Sequence, residues 1–138
     1  MKIVRKIRKL GEPLTYRRAW RKVERLMFRL PLGPVRANID QERLREIQQR
    51  YADSPEEYAK YADVDRWLCV NRERVQDLKL HRSPPMRVLD LGCGAGFFLF
   101  ISKSLGCSVL GLDIDEFPLF RDMLDLFIRG EEGIAWTK

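Results

Sequence analysis

The sequence predicts an α/β fold, a doubly wound parallel sheet preceded by helices. Three observations predict it. The apolar period changes from helical to strand-like at Met86, three glycines (Gly92, Gly94, Gly96) follow that strand at once, and a second apolar strand segment ends at Leu112. A strand, a glycine turn, a helix and a second strand, in that order, form the unit from which doubly wound sheets are built.

From Met1 to Leu10, Ile3, Val4, Ile7 and Leu10 recur among basic residues at a spacing that permits a short helix, which Gly11 and Pro13 interrupt. Thr15 can cap the next stretch. From Tyr16 to Leu30, Trp20, Val23, Met27 and Leu30 share one helical face, and Arg17, Arg18, Arg21, Lys22, Arg25 and Arg29 fill the other. Pro31, Gly33 and Pro34 end that basic amphipathic helix. A further helix begins near Asp40, with Ile39, Leu44, Ile47 and Tyr51 as its apolar face. Ser54 before Pro55, followed by Glu56 and Glu57, is a helix start. Tyr58, Tyr61, Val64, Trp67, Leu68, Asn71, Val75 and Leu78 continue at helical spacing with one break.

Arg82 to Pro85 link these helices to the strand Met86–Leu91, whose apolar content predicts a central place in a sheet. Phe97 to Leu105 is an almost wholly apolar helix with Gly106 as its C-terminal cap. Residues 107–112 form the second strand and end at Asp113, and Phe117 to Phe127 is a last helix. Ile134 to Thr137 permits a short third strand. The expected organisation is a basic helical extension over 1–38, a helical lead-in over 39–84, and a sheet-containing part over 85–138.

With 138 residues the chain has the length of one domain. One third of it is charged, and its longest apolar run, residues 95–101, is far below the roughly 18 residues a spanning helix needs. The basic start is not followed by the apolar core of a signal peptide. Three widely spaced cysteines, Cys69, Cys93 and Cys107, do not make a disulfide framework, so a reducing, cytoplasmic compartment is expected. With His81 as the single histidine and no Cys/His cluster, no metal site is expected. Charge is uneven: residues 1–38 carry a net +10 and residues 39–138 a net −4. The basicity therefore belongs to an arm, and only the arm, residues 1–30, fits an anionic membrane surface or RNA.

The glycines carry the chemistry. Gly92 and Gly94 let the chain turn sharply and let a ligand approach the backbone, Gly96 allows close helix–strand packing, and the helix beyond offers unpaired N–H groups. Asp113 stands 21 residues after Gly92, at the tip of the second strand, where a carboxylate can accept from a ribose diol. Gly92-Cys93-Gly94-Ala95-Gly96 departs from the dinucleotide spacing, and Asp90 would repel a pyrophosphate but suit a cationic ligand, an ammonium or a sulfonium.

Residues 88–96, Val-Leu-Asp-Leu-Gly-Cys-Gly-Ala-Gly, resemble motif I of the class I S-adenosylmethionine-dependent methyltransferases. Gly111-Leu112-Asp113-Ile114-Asp115 is similar to that family's acidic second-strand motif. The resemblance covers residues 85–127. It implies a Rossmann-like fold, S-adenosyl-L-methionine as cofactor, and methyl transfer to an unidentified acceptor. It places Asp90 near the methionine end, Leu91, Gly92, Cys93, Gly94 and Gly96 along the cofactor, Asp113 on the ribose and Ile114 on the adenine. Tyr51, Tyr58, Tyr61 and Trp67 are similar to the helical lead-in over the cofactor, Tyr51 and Tyr61 being the candidate contacts. No catalytic residue is implied. The family's sheet has seven strands, so the chain is expected to be the N-terminal part of such a domain, missing its C-terminal half and inactive by itself. The alternative expectation is a non-catalytic remnant or adaptor whose basic helix binds anionic membrane or RNA.

Overall fold

The computed structural model describes residues 13–54, 60–113 and 117–128. The expected helix at Met1–Leu10, the helix start at Pro55, Tyr58, Ile114, Asp115 and the third strand at Ile134–Thr137 lie outside the described residues. The chain divides into two compact units, residues 1–30 and residues 31–138.

In the first unit, helix α1 spans Pro13–Met27. It starts at Pro13, ahead of the Thr15 cap expected from sequence, because proline's fixed φ suits the first helical turn. Tyr16, Trp20, Val23, Leu26 and Met27 are exposed.

The second unit opens with the short helix α2 (Gly33–Ala37), which buries Val35. Helix α3 (Gln41–Arg50) starts where the Asp40 carboxylate accepts from the backbone N–H groups of Glu42 and Arg43 at 3.1 and 3.0 Å. The break expected in the long helical stretch is a 3-10 turn at Lys60–Ala62. Asp63 then caps helix α4 (Val64–Asp77), accepting from Arg66 N at 3.1 Å. A second 3-10 turn, Leu80–Arg82, leads to strand β1 (Arg87–Leu91). Helix α5 (Phe97–Ser104), strand β2 (Ser108–Leu112) and helix α6 (Pro118–Ile128) complete the order.

Helix α5 is the hub. Its segment Phe-Phe-Leu-Phe-Ile is apolar all round, so it must be buried all round. Leu99 and Ile101 have no exposure. It covers one face of the sheet and packs against α2, α4 and α6. Ser102, buried among these side chains, donates back to Phe98 O at 2.8 Å and so leaves no orphan hydroxyl. Helix α6 inserts Leu119, Met123 and Leu124 into the same core.

Strands β1 and β2 pair in parallel, with Arg87 opposite Ser108 and Leu91 opposite Leu112. Gly92 N and Cys93 N both donate to Leu112 O, at 2.7 and 3.2 Å, so the pairing runs into the turn. The doubly wound, Rossmann-like parallel sheet expected from the sequence is overturned here. Among the described residues there are six α-helices and one open sheet of two strands. A doubly wound sheet needs several strands with helices on both faces. In this protein α5 covers the face carrying Asp90 and Gly111, while Leu89, Leu91 and Leu110 on the other face remain exposed.

Candidate functional site

The strand–turn–helix unit builds one end of a cavity of about 390 Å3 at the carboxyl ends of the two strands. Gly92, Cys93, Gly94 and Ala95 line it from the turn, and Asp113 lines it from the tip of β2. The Asp113 carboxylate accepts a short hydrogen bond from Gly94 N, which ties the tip of β2 to the turn. Gly96, at φ 76°, is the left-handed residue that lets α5 begin immediately after the turn. A Cβ at that position would run into the Leu124 side chain.

Helix α4 supplies another part of the lining. Trp67, Asn71 and Arg74 follow at intervals of four and three, so they share one face. Trp67 is fixed by its indole N–H, which donates to Lys60 O at 2.8 Å. Its ring stacks on Tyr61, with centroids 4.7 Å apart and planes 17° apart, and lies 6.3 Å from Phe97. Phe120 of α6 meets Tyr61 edge-on at 4.9 Å. Tyr61, Trp67, Phe97, Phe98 and Phe120 thus give the cavity an aromatic lining. Asn71 Nδ2 donates to Trp67 O at 3.0 Å, and Arg74 Nη1 donates to Asn71 Oδ1 at 3.3 Å, so this polar row is internally ordered.

Arg74 also reaches Asp90. Its Nη2 stands 3.3 Å from Asp90 Oδ1, and its guanidinium lies 4.6 Å from the centre of the Phe98 ring. Asp90 is buried, and its second oxygen, Oδ2, has no hydrogen-bond partner. Burial pushes its carboxyl above the usual carboxylate range; Arg74 pulls it back and Asp113 pushes it further up. The folded chain therefore favours the protonated form more than the unfolded chain does. The resulting stability is fully present below the unfolded value and is lost as pH rises through the folded one. Asp90→Asn removes the buried charge and keeps an acceptor for Arg74. It is expected to melt above the unsubstituted protein at neutral pH, with the difference closing below about pH 4. Thermal melts across that range check this; a lower melting temperature at neutral pH contradicts it.

Cys93 lines the cavity as a neutral thiol near neutrality. Burial pushes its thiol up to about 11, and the charges of Asp113 and Asp90 add to the effect.

The structure brings Tyr61, Gly92, Cys93, Gly94 and Asp113 of the candidate residues together around the cavity, with Asp90 adjoining through Arg74. Gly96 shapes the turn against Leu124. Leu91 is exposed. Tyr51 is engaged elsewhere: its hydroxyl donates to Asp122 Oδ2 at 2.9 Å, and Arg50 Nη1 meets the same oxygen at 2.6 Å, tying α3 to α6. Burial and Asp122 together raise the Tyr51 phenol above its ordinary value. Ile114 lies outside the described residues. Sequence reasoning missed Arg74 and Phe120 as lining residues. For Arg74 a signal existed, the four-and-three spacing from Trp67 through Asn71; for Phe120 none did, because its place depends on how α6 packs.

No protein-family model matches the chain, and neither a curated protein nor a solved structure matches it significantly. The expected membership of the class I methyltransferases is corrected on the architecture: the described residues are mainly helical with a two-stranded open sheet, where that family requires a many-stranded one. With that fold go the expected enzyme activity, its methyltransferase mechanism and the S-adenosyl-L-methionine cofactor. What stands is a cavity with an aromatic lining, a carboxylate and ordered backbone.

Proposed function

We propose that the unit spanning residues 31–138 is a binding module for a small organic cation that carries a flat aromatic ring, an arylalkylamine in chemical class. The observation that carries this reading is the joint lining of one cavity by five aromatic rings and the Asp113 carboxylate. Its volume of about 390 Å3 suits one small ring system and lies within the ordinary range of ligand sites. Aromatic faces attract a flat, positively charged ligand both by burial and through their quadrupoles. Arg74 and Asp90 oppose one another, and the Asp113 carboxylate is a further acidic group in the lining. A carboxylate has acceptor capacity beyond the Gly94 N–H. Tyr61, Gly92, Cys93, Gly94 and Asp113 are the contacts of this reading, and Asp90 acts through Arg74.

Tryptamine, with a flat ring and an ammonium, and indole-3-acetate, with the same ring and a carboxylate, separate the two requirements. In calorimetric titrations tryptamine is expected to bind at least about tenfold tighter, a difference of roughly 1.4 kcal/mol. Asp113→Asn keeps an acceptor for Gly94 and is expected to abolish the preference. Equal affinities in the unsubstituted protein, or tighter binding of indole-3-acetate, overturn the reading.

A further inference from the structure

Helix α1 presents an apolar face that its own unit does not bury. Tyr16, Trp20, Val23 and Met27 follow at intervals of four, three and four, so they fall on one stripe, and Leu26 flanks it. Trp20 is 66% exposed and Leu26 75%. Arg21 and Lys22 occupy the opposite side, and across residues 13–30 six basic residues stand against Glu24 alone. Two chemistries are therefore combined on one rod about 22 Å long: an aromatic and aliphatic stripe that water disfavours, and a dense positive face.

We propose that α1 lies in the headgroup region of an anionic phospholipid bilayer, parallel to its surface. Charge complementarity names the partner. The basic face matches a negatively charged leaflet, and the stripe of Trp, Tyr, Val, Leu and Met enters the acyl boundary. Tryptophan and tyrosine are the side chains that favour this depth, with an apolar ring and a polar tip. RNA would neutralise the basic face equally well and its bases can stack on Tyr16 and Trp20, but it leaves the exposed aliphatic side chains Val23, Leu26 and Met27 in water; these decide between them. None of the described helices is long and apolar enough to cross a membrane, and α1 at 15 residues lies on the surface instead of spanning it.

The test uses the full chain and vesicle flotation. One set of vesicles is phosphatidylcholine alone, and another contains about one-third phosphatidylserine. The protein is expected to float with the phosphatidylserine vesicles at least tenfold more than with the neutral ones, and to release when salt screens the headgroups. Trp20→Ser with Leu26→Ser is expected to reduce flotation about tenfold, and Arg21→Glu with Lys22→Glu to reduce it as much. All four positions are exposed, and circular dichroism of each variant establishes that the second unit remains folded. Flotation that is equal on both vesicles, that is absent, or that survives the Trp20 and Leu26 substitutions overturns the proposal. So does tight retention on a single-stranded oligoribonucleotide with no affinity for vesicles.

Discussion

Gly96→Val is expected to lower the stability of the second unit by about 2–5 kcal/mol. Two costs combine. A β-branched residue held at φ 76° sits in a backbone region that L side chains avoid, at about 1–2 kcal/mol. The new Cβ also meets the buried Leu124 side chain, and overpacking of that kind costs about 1–3 kcal/mol. Gly92→Val is the matched control, since Gly92 has φ 73° but nothing within 4 Å of a Cβ. Urea unfolding followed by circular dichroism should show the Gly96 variant losing clearly more than the Gly92 variant. Equal losses would mean that the contact between the turn and α6 contributes nothing.

Trp67→Ala is expected to have the largest effect on the cavity. It deletes the ring between Tyr61 and Phe97 and the N–H that donates to Lys60 O. Removing an aromatic side chain of this size costs about 3–5 kcal/mol when it is fully buried, and Trp67 is partly exposed, so about 2 kcal/mol is expected in stability. Tryptamine affinity should fall by tenfold or more, about 1.4 kcal/mol. Trp67→Phe separates the two roles: it keeps a ring in the stack and loses the hydrogen bond, a net loss of about 1 kcal/mol. It should retain most of the binding. Unchanged tryptamine affinity in a folded Trp67→Ala protein would remove the aromatic lining from the account.

Local features were legible in the sequence because their causes are local. The amphipathic pattern around Trp20 gives α1, and the glycines at 92, 94 and 96 give the turn. Gly106, at φ 83°, closes α5 as expected, its N–H donating to Lys103 O at 2.8 Å. The fold class was not legible. A strand–turn–helix–strand motif specifies its own pairing, but not how many further strands join the sheet. Extending it to a doubly wound sheet assumed partners for Leu89, Leu91 and Leu110 that the described residues do not supply.

The site was legible in part for the same reason. Gly92 to Gly94 and Asp113 are placed by the turn itself. Asp90 is paired by Arg74, which comes from a helix 16 residues earlier in the chain; only the packing of α4 on α5 reveals that. Gly111 carries no turn signal, yet a Cβ there would stand 2.5 Å from Leu99 Cδ1 and 2.8 Å from Cys93 Sγ. Its requirement for glycine comes from the approach of α5 and the turn to β2. Tyr51 shows the converse: an aromatic on a helix face reads as a ligand contact or as core, and Asp122 makes it a tie between α3 and α6.

That the cavity at the strand ends takes an arylalkylammonium ion through Asp113 and the rings around Trp67 can be checked by nuclear magnetic resonance. Tryptamine is titrated into the isotopically labelled full chain while backbone amide and indole N–H signals are followed. The account predicts saturable shifts at the Trp67 indole N–H and at the amides of residues 92–95, with the Gly94 amide, bonded to Asp113, among the largest. Saturable shifts confined to residues outside the cavity, or no shifts at the Gly94 amide and the Trp67 indole, would contradict it.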